Sequence, residues 1–533
     1  MSPPSKYVVL FLLVFFAGGL VRFVKPGLRP MHSDEAVNAH KLGTLLESGN
    51  YRYDPSEYHG PALYYATMVS ARLKGQRTYS SLDEGTLRHV PAFFSLLLLG
   101  LLLLIRKEMK WELVLVTGAL LAAAPALVFY GRYYIHESLL TFFSYACIIC
   151  TFRYLKDRKI VWLVLAGASM GFMHATKETC VLNLSAATLA LIMTAVLPGT
   201  RPSAGKRKTH IPVLHVLIVL ISAAVVSMLL FSSFFSNPQG IIDSVSTYVC
   251  YLQRAGMDDA HVHPWYFYLS ILLLSGSMDG FSGTGLWLII TSLTGFLFLL
   301  LKRKREGAEN LILFIGVYST ILLFIYSALP YKTPWNLLQF YPGLLFLSGY
   351  GIVQLFLIRF NHFRIGKPLR RGLVLLLLLG GFHWVWTGMK LNFKYYAEPG
   401  NPYVYAQTGM DIPEIAREID LISAVVPEGH AMPIEVVFPE NDYWPLPWYL
   451  REFSKVGYYR EVNDGVAAAP LVIIHPSVEQ DLIRKLYEKP GPGERYLYVP
   501  LFEGYRELRP GVEIRAYLRK DLWDAYRFGK EGR

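Results

Sequence analysis

Tyr7-Val8-Val9-Leu10-Phe11-Leu12-Leu13-Val14-Phe15-Phe16-Ala17-Gly18-Gly19-Leu20-Val21-Arg22-Phe23-Val24 is followed shortly by His32-Ser33-Asp34-Glu35-Ala36. The first stretch has the length and apolarity that a helix needs to cross a bilayer, about 20 residues. The second sets two carboxylates just past its end. Ten further runs of the same kind fall at about 87–105, 111–130, 138–155, 160–176, 179–197, 211–235, 281–301, 309–329, 335–358 and 372–391. With 53% hydrophobic and only 17% charged among 533 residues, the chain reads as a polytopic α-helical membrane protein of about eleven transmembrane helices.

The net charge of +12 does not point to nucleic acid, because Lys and Arg gather in the short loops between apolar runs. With the N-terminus cytoplasmic, Arg106-Lys107, 156–159, Arg201 with Lys206-Arg207-Lys208, 302–305 and 359–371 all fall inside, as the positive-inside rule requires. The outer side then receives a loop at 25–86, turns at 131–137, 176–178 and 330–334, a loop at 236–264 and the C-terminal tail. The segment 265–280 is short and broken by Gly and Ser, and reads as interfacial or re-entrant. The first apolar run has no small-residue cleavage site and reads as a retained helix.

Two domains are expected. Residues 1–391 form the transmembrane domain with the outer loop at 25–86. From 392 the composition changes: Asp411 to Ile419 has helical periodicity with Pro413 in its first turn, Ile434 to Phe438 and Leu471 to Ile474 are β-rich, and 480–488 is helical. Alternating short strands and helices over 392–533 predict a small extracytoplasmic α/β domain. The four cysteines make no disulfide framework, and Cys147 and Cys150 share an apolar helix where packing explains their spacing.

The chemistry-bearing residues collect at the outer ends of the runs. Asp34 and Glu35 open a helix to Gly49 with apolar residues at Ala36, Leu42, Leu45 and Leu46, expected to lie on the membrane. Ser33 or Asp34 would cap it, and Asp34 is then either a helix-end acid or a general base raised in pKa by partial desolvation. Arg132 and Glu137 flank the turn Gly131 to Ser138, and read either as an ion pair or as groups facing a cavity. Lys177 and Lys332 occupy two more outer turns, where each is an interfacial snorkelling lysine or a phosphate-holding cation. The loop around Tyr51, Tyr53, Tyr58, His59 and Tyr64 offers aromatic faces to a sugar or to the interface. His32 and His136 are the candidate metal ligands, and the loop with Asp258, Asp259, His261 and His263 reads as solvated. No nucleotide-binding or hydrolase fingerprint stands in a suitable context.

Taken together, the acidic pair in the first outer loop, Arg132-x-x-x-x-Glu137 leading into Leu139-Leu140-Thr141-Phe142-Phe143, Gly171-Phe172 followed by Lys177, and Tyr331-Lys332-Thr333-Pro334-Trp335 resemble the GT-C glycosyltransferases of the protein O-mannosyltransferase and aminoarabinose-transferase type. Within that group the Tyr331 motif is similar to a prokaryotic branch named for flippase-associated and archaeal protein-glycosylation genes. The resemblance implies inverting transfer of a hexosyl or pentosyl group from a polyprenyl-phosphate donor to a hydroxyl of a glycan, lipid or protein, at the outer face of the plasma membrane. It implies Asp34 as base, with Glu35 and Glu137 as further acids. Arg132, Lys177, Lys332, His59 and Tyr331 would bind substrate. No cofactor is required, and a divalent metal is compatible. Three departures stand out: Glu137 replaces the usual Asp, Glu178 follows Lys177 where relatives often have Gly-Pro, and no MIR-type domain is evident. The competing readings are a polyprenyl-linked glycan flippase or transporter, and a non-catalytic scaffold of a glycan assembly complex.

Overall fold

The computed structural model describes residues 5–56, 59–197, 211–254, 261–273, 284–357, 367–491 and 495–531. Tyr58, the basic tract 206–208 with Arg201, Asp258 with Asp259, the stretch 274–280 and most of the 359–371 loop lie outside them. Each of the eleven apolar runs holds a helix within its described residues. Six of these helices are long and apolar enough to cross a membrane, Lys6–Phe23, Glu84–Glu108, Glu137–Asp157, Val213–Phe231, Glu309–Ala328 and Arg371–Phe393. A bent pair, Trp111–Ala123 with Pro125–Gly131, passes the same test as one span, and Ile160–His174, Cys180–Val196, Gly285–Leu301 and Tyr341–Phe356 are shorter apolar helices. The Val213–Phe231 helix is the most apolar of the six, yet only 6% of it is buried. An apolar surface left outside in this way belongs in lipid rather than in water.

The chain forms two compact units, one of residues 1–26, 48–70 and 85–405, the other of 27–47, 71–84 and 406–533. The first is the helical unit. Its decisive local feature is the 52° bend between Trp111–Ala123 and Pro125–Gly131. Pro125 has no N–H to offer the Leu121 carbonyl, and the changed direction at Ala124 takes the next donor away from Ala122. Arg22, fully buried, supplies the missing donors. Its guanidinium donates to Leu121 O at 2.9 Å, Ala122 O at 2.8 Å and Gly18 O at 2.9 Å, and its Nε donates to Ser95 Oγ at 2.9 Å. Ser95 Oγ in turn donates to Leu127 O at 3.0 Å. Asn392 closes the other side of the bend by donating to Pro125 O at 3.1 Å.

The second unit holds a five-stranded sheet of β1 (Ile434–Val437), β2 (Val456–Tyr459), β3 (Leu471–Ile474), β4 (Tyr498–Pro500) and β7 (Arg515–Arg519), in the order β2-β1-β3-β7-β4. β1 runs parallel to β2 and β3, whereas β7 is antiparallel to both β3 and β4. β5 (Glu507–Arg509) and β6 (Val512–Glu513) make a separate antiparallel pair. β1 and β3 are buried along their whole length, and the amphipathic helix Ile412–Ser423 places Ile412, Ile415, Ile419 and Ile422 in the same core. Glu435 on β1 is neutralised there by Lys485 at 2.8 Å.

The helix Ser33–Ser48 also belongs to this unit, apart from its last residue. Of the apolar residues expected to face the membrane, Ala36, Leu42 and Leu45 are buried in protein and Leu46 is half-buried, so most of that face of the helix packs on protein instead. Gly43 lets it approach Tyr79 closely, for a Cβ at that position would stand 2.6 Å from the Tyr79 Cβ.

Arg22→Met removes the donors at the bend and leaves two buried carbonyls unpaired, at a cost of about 1–3 kcal/mol for each. Thermal unfolding in detergent should show a clearly lowered midpoint for this variant, with Arg22→Lys losing less because it retains a donor. An unchanged midpoint in Arg22→Met would contradict the assignment.

Candidate functional site

In the helical unit, the bend delivers the chain to Gly131, and the turn after it runs straight into the helix Glu137–Asp157. Arg132 is buried and does not pair with Glu137. It donates to the carbonyls of Val24 at 3.2 Å, Lys25 at 2.8 Å and Asn392 at 3.2 Å, and lies over the Phe393 ring at 4.5 Å. Glu137 pairs instead with Lys177 through a short Nζ–Oε1 contact, and both side chains are buried. Below Glu137, Gln339 donates to its carbonyl at 3.4 Å, and Asn183 donates to Gln339 Oε1 at 2.9 Å and to Ser144 Oγ at 2.8 Å.

Lys177 sits in the turn after Ile160–His174, and its neighbour Glu178 points to a different element. Glu178 accepts from the Tyr53 hydroxyl at 3.1 Å and meets His59 Nδ1 at 2.8 Å. Burial by itself would push the Glu178 carboxyl up, but the His59 ring and its hydrogen bond, joined by a backbone N–H and the Lys177 charge, together hold the group below the ordinary carboxylate range. The His59 and His136 rings meet edge to face at 5.2 Å, and His136 Nε2 lies 3.1 Å from Gly60 O. Burial, reinforced by His59 and Lys177, holds His136 well below its ordinary pKa. His136 is therefore neutral, donating from Nε2 to the Gly60 carbonyl.

Lys332 is buried and donates to the main-chain carbonyls of His263 at 2.8 Å and Pro330 at 3.4 Å, and to that of Leu329. Its own N–H donates to His261 O at 3.0 Å, and Tyr331 forms a β-bridge with Val262 while keeping a half-exposed ring 4.8 Å from His261. Lys332 therefore ties the 261–263 and 329–332 segments together.

In the second unit, the acidic pair is split. Glu35 is fully buried and accepts from the His32 backbone N–H at 3.1 Å, while His32 Nδ1 accepts from the Asp34 N–H at 3.1 Å. This reciprocal arrangement is a capping box with His32 as the N-cap, in place of the expected Ser33 or Asp34. Asp34 has a side chain 51% exposed, and Arg509 is among the charges that feel it. Among the described residues, one group of three metal-ligating side chains lies close enough to share an ion: Asp420, His430 and Glu452, all exposed. Neither His32 nor His136 belongs to such a group.

Gly60 and Glu178 were not singled out as site residues in the sequence, and Tyr53 was read only as one of the aromatic faces of its loop. The one signal was the unusual acid after Lys177; its partners lie more than a hundred residues away.

Comparison with known proteins agrees with this architecture. Residues 59–228 match the family described as dolichyl-phosphate-mannose-protein mannosyltransferase, a span that holds His59, Arg132, His136, Glu137, Lys177 and Glu178 and begins after Asp34. The crystal structure of ArnT from Cupriavidus metallidurans bound to undecaprenyl phosphate superposes with a TM-score of 0.63 at 17% identity, covering 96% of this chain and 98% of that one. The fold is that of the GT-C membrane glycosyltransferases. Apo ArnT gives 0.59 at 16% identity over the same shares of the chains. The archaeal oligosaccharyltransferase AglB from Archaeoglobus fulgidus, in complex with an inhibitory peptide and a dolichol-phosphate, gives 0.50 at 10% identity, covering 89% of this chain and 70% of AglB. No curated protein matches the sequence.

The neutral His136 sets a pH dependence. Its folded pKa lies below its unfolded one, so the unfolded chain binds the extra proton. Its contribution is complete above the unfolded value of about 6.5 and declines as pH falls toward the folded pKa, by at most about 1.4 kcal/mol per pH unit. Unfolding midpoints taken between pH 7.5 and 5.5 should fall more steeply for the wild type than for His136→Gln. Equal slopes would contradict a buried neutral His136.

Proposed function

We propose that the protein is an inverting glycosyltransferase that moves a sugar from a polyprenyl-phosphate donor to an acceptor hydroxyl at the outer face of the plasma membrane. The observation that carries this reading is the GT-C fold over almost the whole chain, shared with an ArnT whose structure holds undecaprenyl phosphate. The dolichol-phosphate in AglB and the mannosyltransferase family match point to the same class of lipid donor. The N-terminus is placed in the cytoplasm and residues 392–533 outside by the distribution of Lys and Arg, and the Tyr331 motif favours the prokaryotic flippase-associated branch.

Asp34 is the proposed base. It has the accessible carboxylate of the pair, whereas Glu35 is committed to the helix cap. Asp34 takes the acceptor proton as the acceptor oxygen forms its bond to the anomeric carbon, and the bond from that carbon to the phosphate oxygen breaks with its electrons leaving on the lipid phosphate. Lys177 and His59 are the proposed phosphate contacts, with Glu137 orienting Lys177 and Tyr331 facing the sugar. Arg132 and Lys332, whose donors go to carbonyls, act as fixed positive charges that favour the departing phosphate rather than as direct ligands.

Asp34→Asn should lower kcat for transfer from a polyprenyl-phosphate sugar by about 10²- to 10⁴-fold. Expression and thermal midpoint should stay at wild-type values, because the Asp34 backbone N–H that meets His32 is retained. Full turnover by Asp34→Asn, measured as released polyprenyl phosphate, would remove Asp34 from the base role.

A further inference from the structure

The turn at 175–178 sends its two charged side chains to different elements. Lys177 reaches Glu137 at the start of a spanning helix, and Glu178 reaches back to the segment that carries Tyr53 and His59. The main chain of the same turn binds that segment directly: Gly60 N–H donates to Thr176 O at 3.2 Å and Ala62 N–H to Ala175 O at 2.8 Å. The contact is so close that a Cβ on Gly60 would stand 2.3 Å from Ala175 O. The segment is also held by neutral groups, the Tyr51 N–H donating to Ser233 Oγ at 3.0 Å and Thr247 donating to Pro55 O at 3.1 Å. Glu178 meets His59 as a carboxylate, with 7% of its own side chain exposed and 33% of the His59 side chain reaching solvent.

We propose that Glu178 is a positioning residue of the donor site: through Tyr53 and His59 it holds the 59–62 segment ready beside the Lys177–Glu137 pair, so that a lipid phosphate meets a formed cradle. This rests on the transferase reading given above. Its physical basis is preorganisation, since a loop that has to be ordered on binding gives up part of its binding free energy for each side chain immobilised. A glutamine at 178 keeps the size but replaces one acceptor with a donor, so it cannot accept from both Tyr53 and His59 in the same way.

The test uses full-length protein in nanodiscs, with undecaprenyl phosphate and its glycosylated form as probes. A hydrogen bond to a charged group contributes about 1.5–3 kcal/mol, so Glu178→Gln should raise the donor KM and the Kd for undecaprenyl phosphate about tenfold or more, with kcat within about twofold. Amide exchange at Gly60 and Ala62 should accelerate in the same variant without ligand. In a His59→Ala background, Glu178→Gln should add little to the KM. Tyr53→Phe deletes a single hydrogen bond and should move both readouts the same way by less, which keeps the idea testable if Glu178→Gln folds poorly. Faster exchange with unmoved KM and Kd, or effects of Glu178→Gln and His59→Ala that simply multiply, would overturn the positioning role. A wild-type protein that neither binds undecaprenyl phosphate nor transfers sugar would overturn the transferase reading itself, and the exchange data would still report whether Glu178 holds the segment.

Discussion

A backbone inside a bilayer has no water to satisfy it, so every break in a spanning helix needs an internal donor for the carbonyls it exposes. The bend at Ala124-Pro125 is such a break, and Arg22 is its donor. A charged side chain within an apolar helix is costly unless it is fully bonded; here four hydrogen bonds, three of them to carbonyls, compensate it. The consequence reaches well beyond the bend. The short helix Pro125–Gly131 is redirected, and the turn carrying Arg132, His136 and Glu137 begins where it ends.

The charged groups Arg132, Lys177, Glu178 and Lys332 are all paired with protein, which separates two kinds of role. Arg132 and Lys332 serve main-chain carbonyls and so knit chain segments together. Lys177 and Glu178 instead form side-chain pairs, with Glu137 and His59. A buried ion pair contributes little net stability against an apolar replacement, but losing one partner is expensive, so such pairs define geometry more than they add stability. Asp34 differs from all of these in keeping half its side chain exposed.

Much of the fold was legible in the sequence because length and apolarity alone identify a helix that lies in lipid. Each of the eleven runs holds a helix within its described residues, and the tail has the strands and helices expected at Ile434, Leu471 and 480–488. What was illegible depended on partners distant in sequence. Arg22 reads as the end of an apolar run until the bend a hundred residues later gives it acceptors. The same holds for Arg132 and Lys332, because residue type does not distinguish a cation bound to carbonyls from one that meets phosphate. The helix at Ser33–Ser48 has the pattern of a surface helix, and the burial of Ala36, Leu42 and Leu45 comes from tertiary packing that periodicity does not encode. His32 as a cap went unread because Ser and Asp are the usual cap residues.

The central claim is sugar transfer from a polyprenyl-phosphate donor, and reconstituted full-length protein tests it most directly. Proteoliposomes supplied with a radiolabelled polyprenyl-phosphate sugar and envelope-derived acceptors should release free polyprenyl phosphate in step with label appearing on the acceptor, with the anomeric configuration inverted when read by NMR. Passage of intact lipid-linked sugar across the bilayer with no release of polyprenyl phosphate would contradict the account and identify a transporter instead.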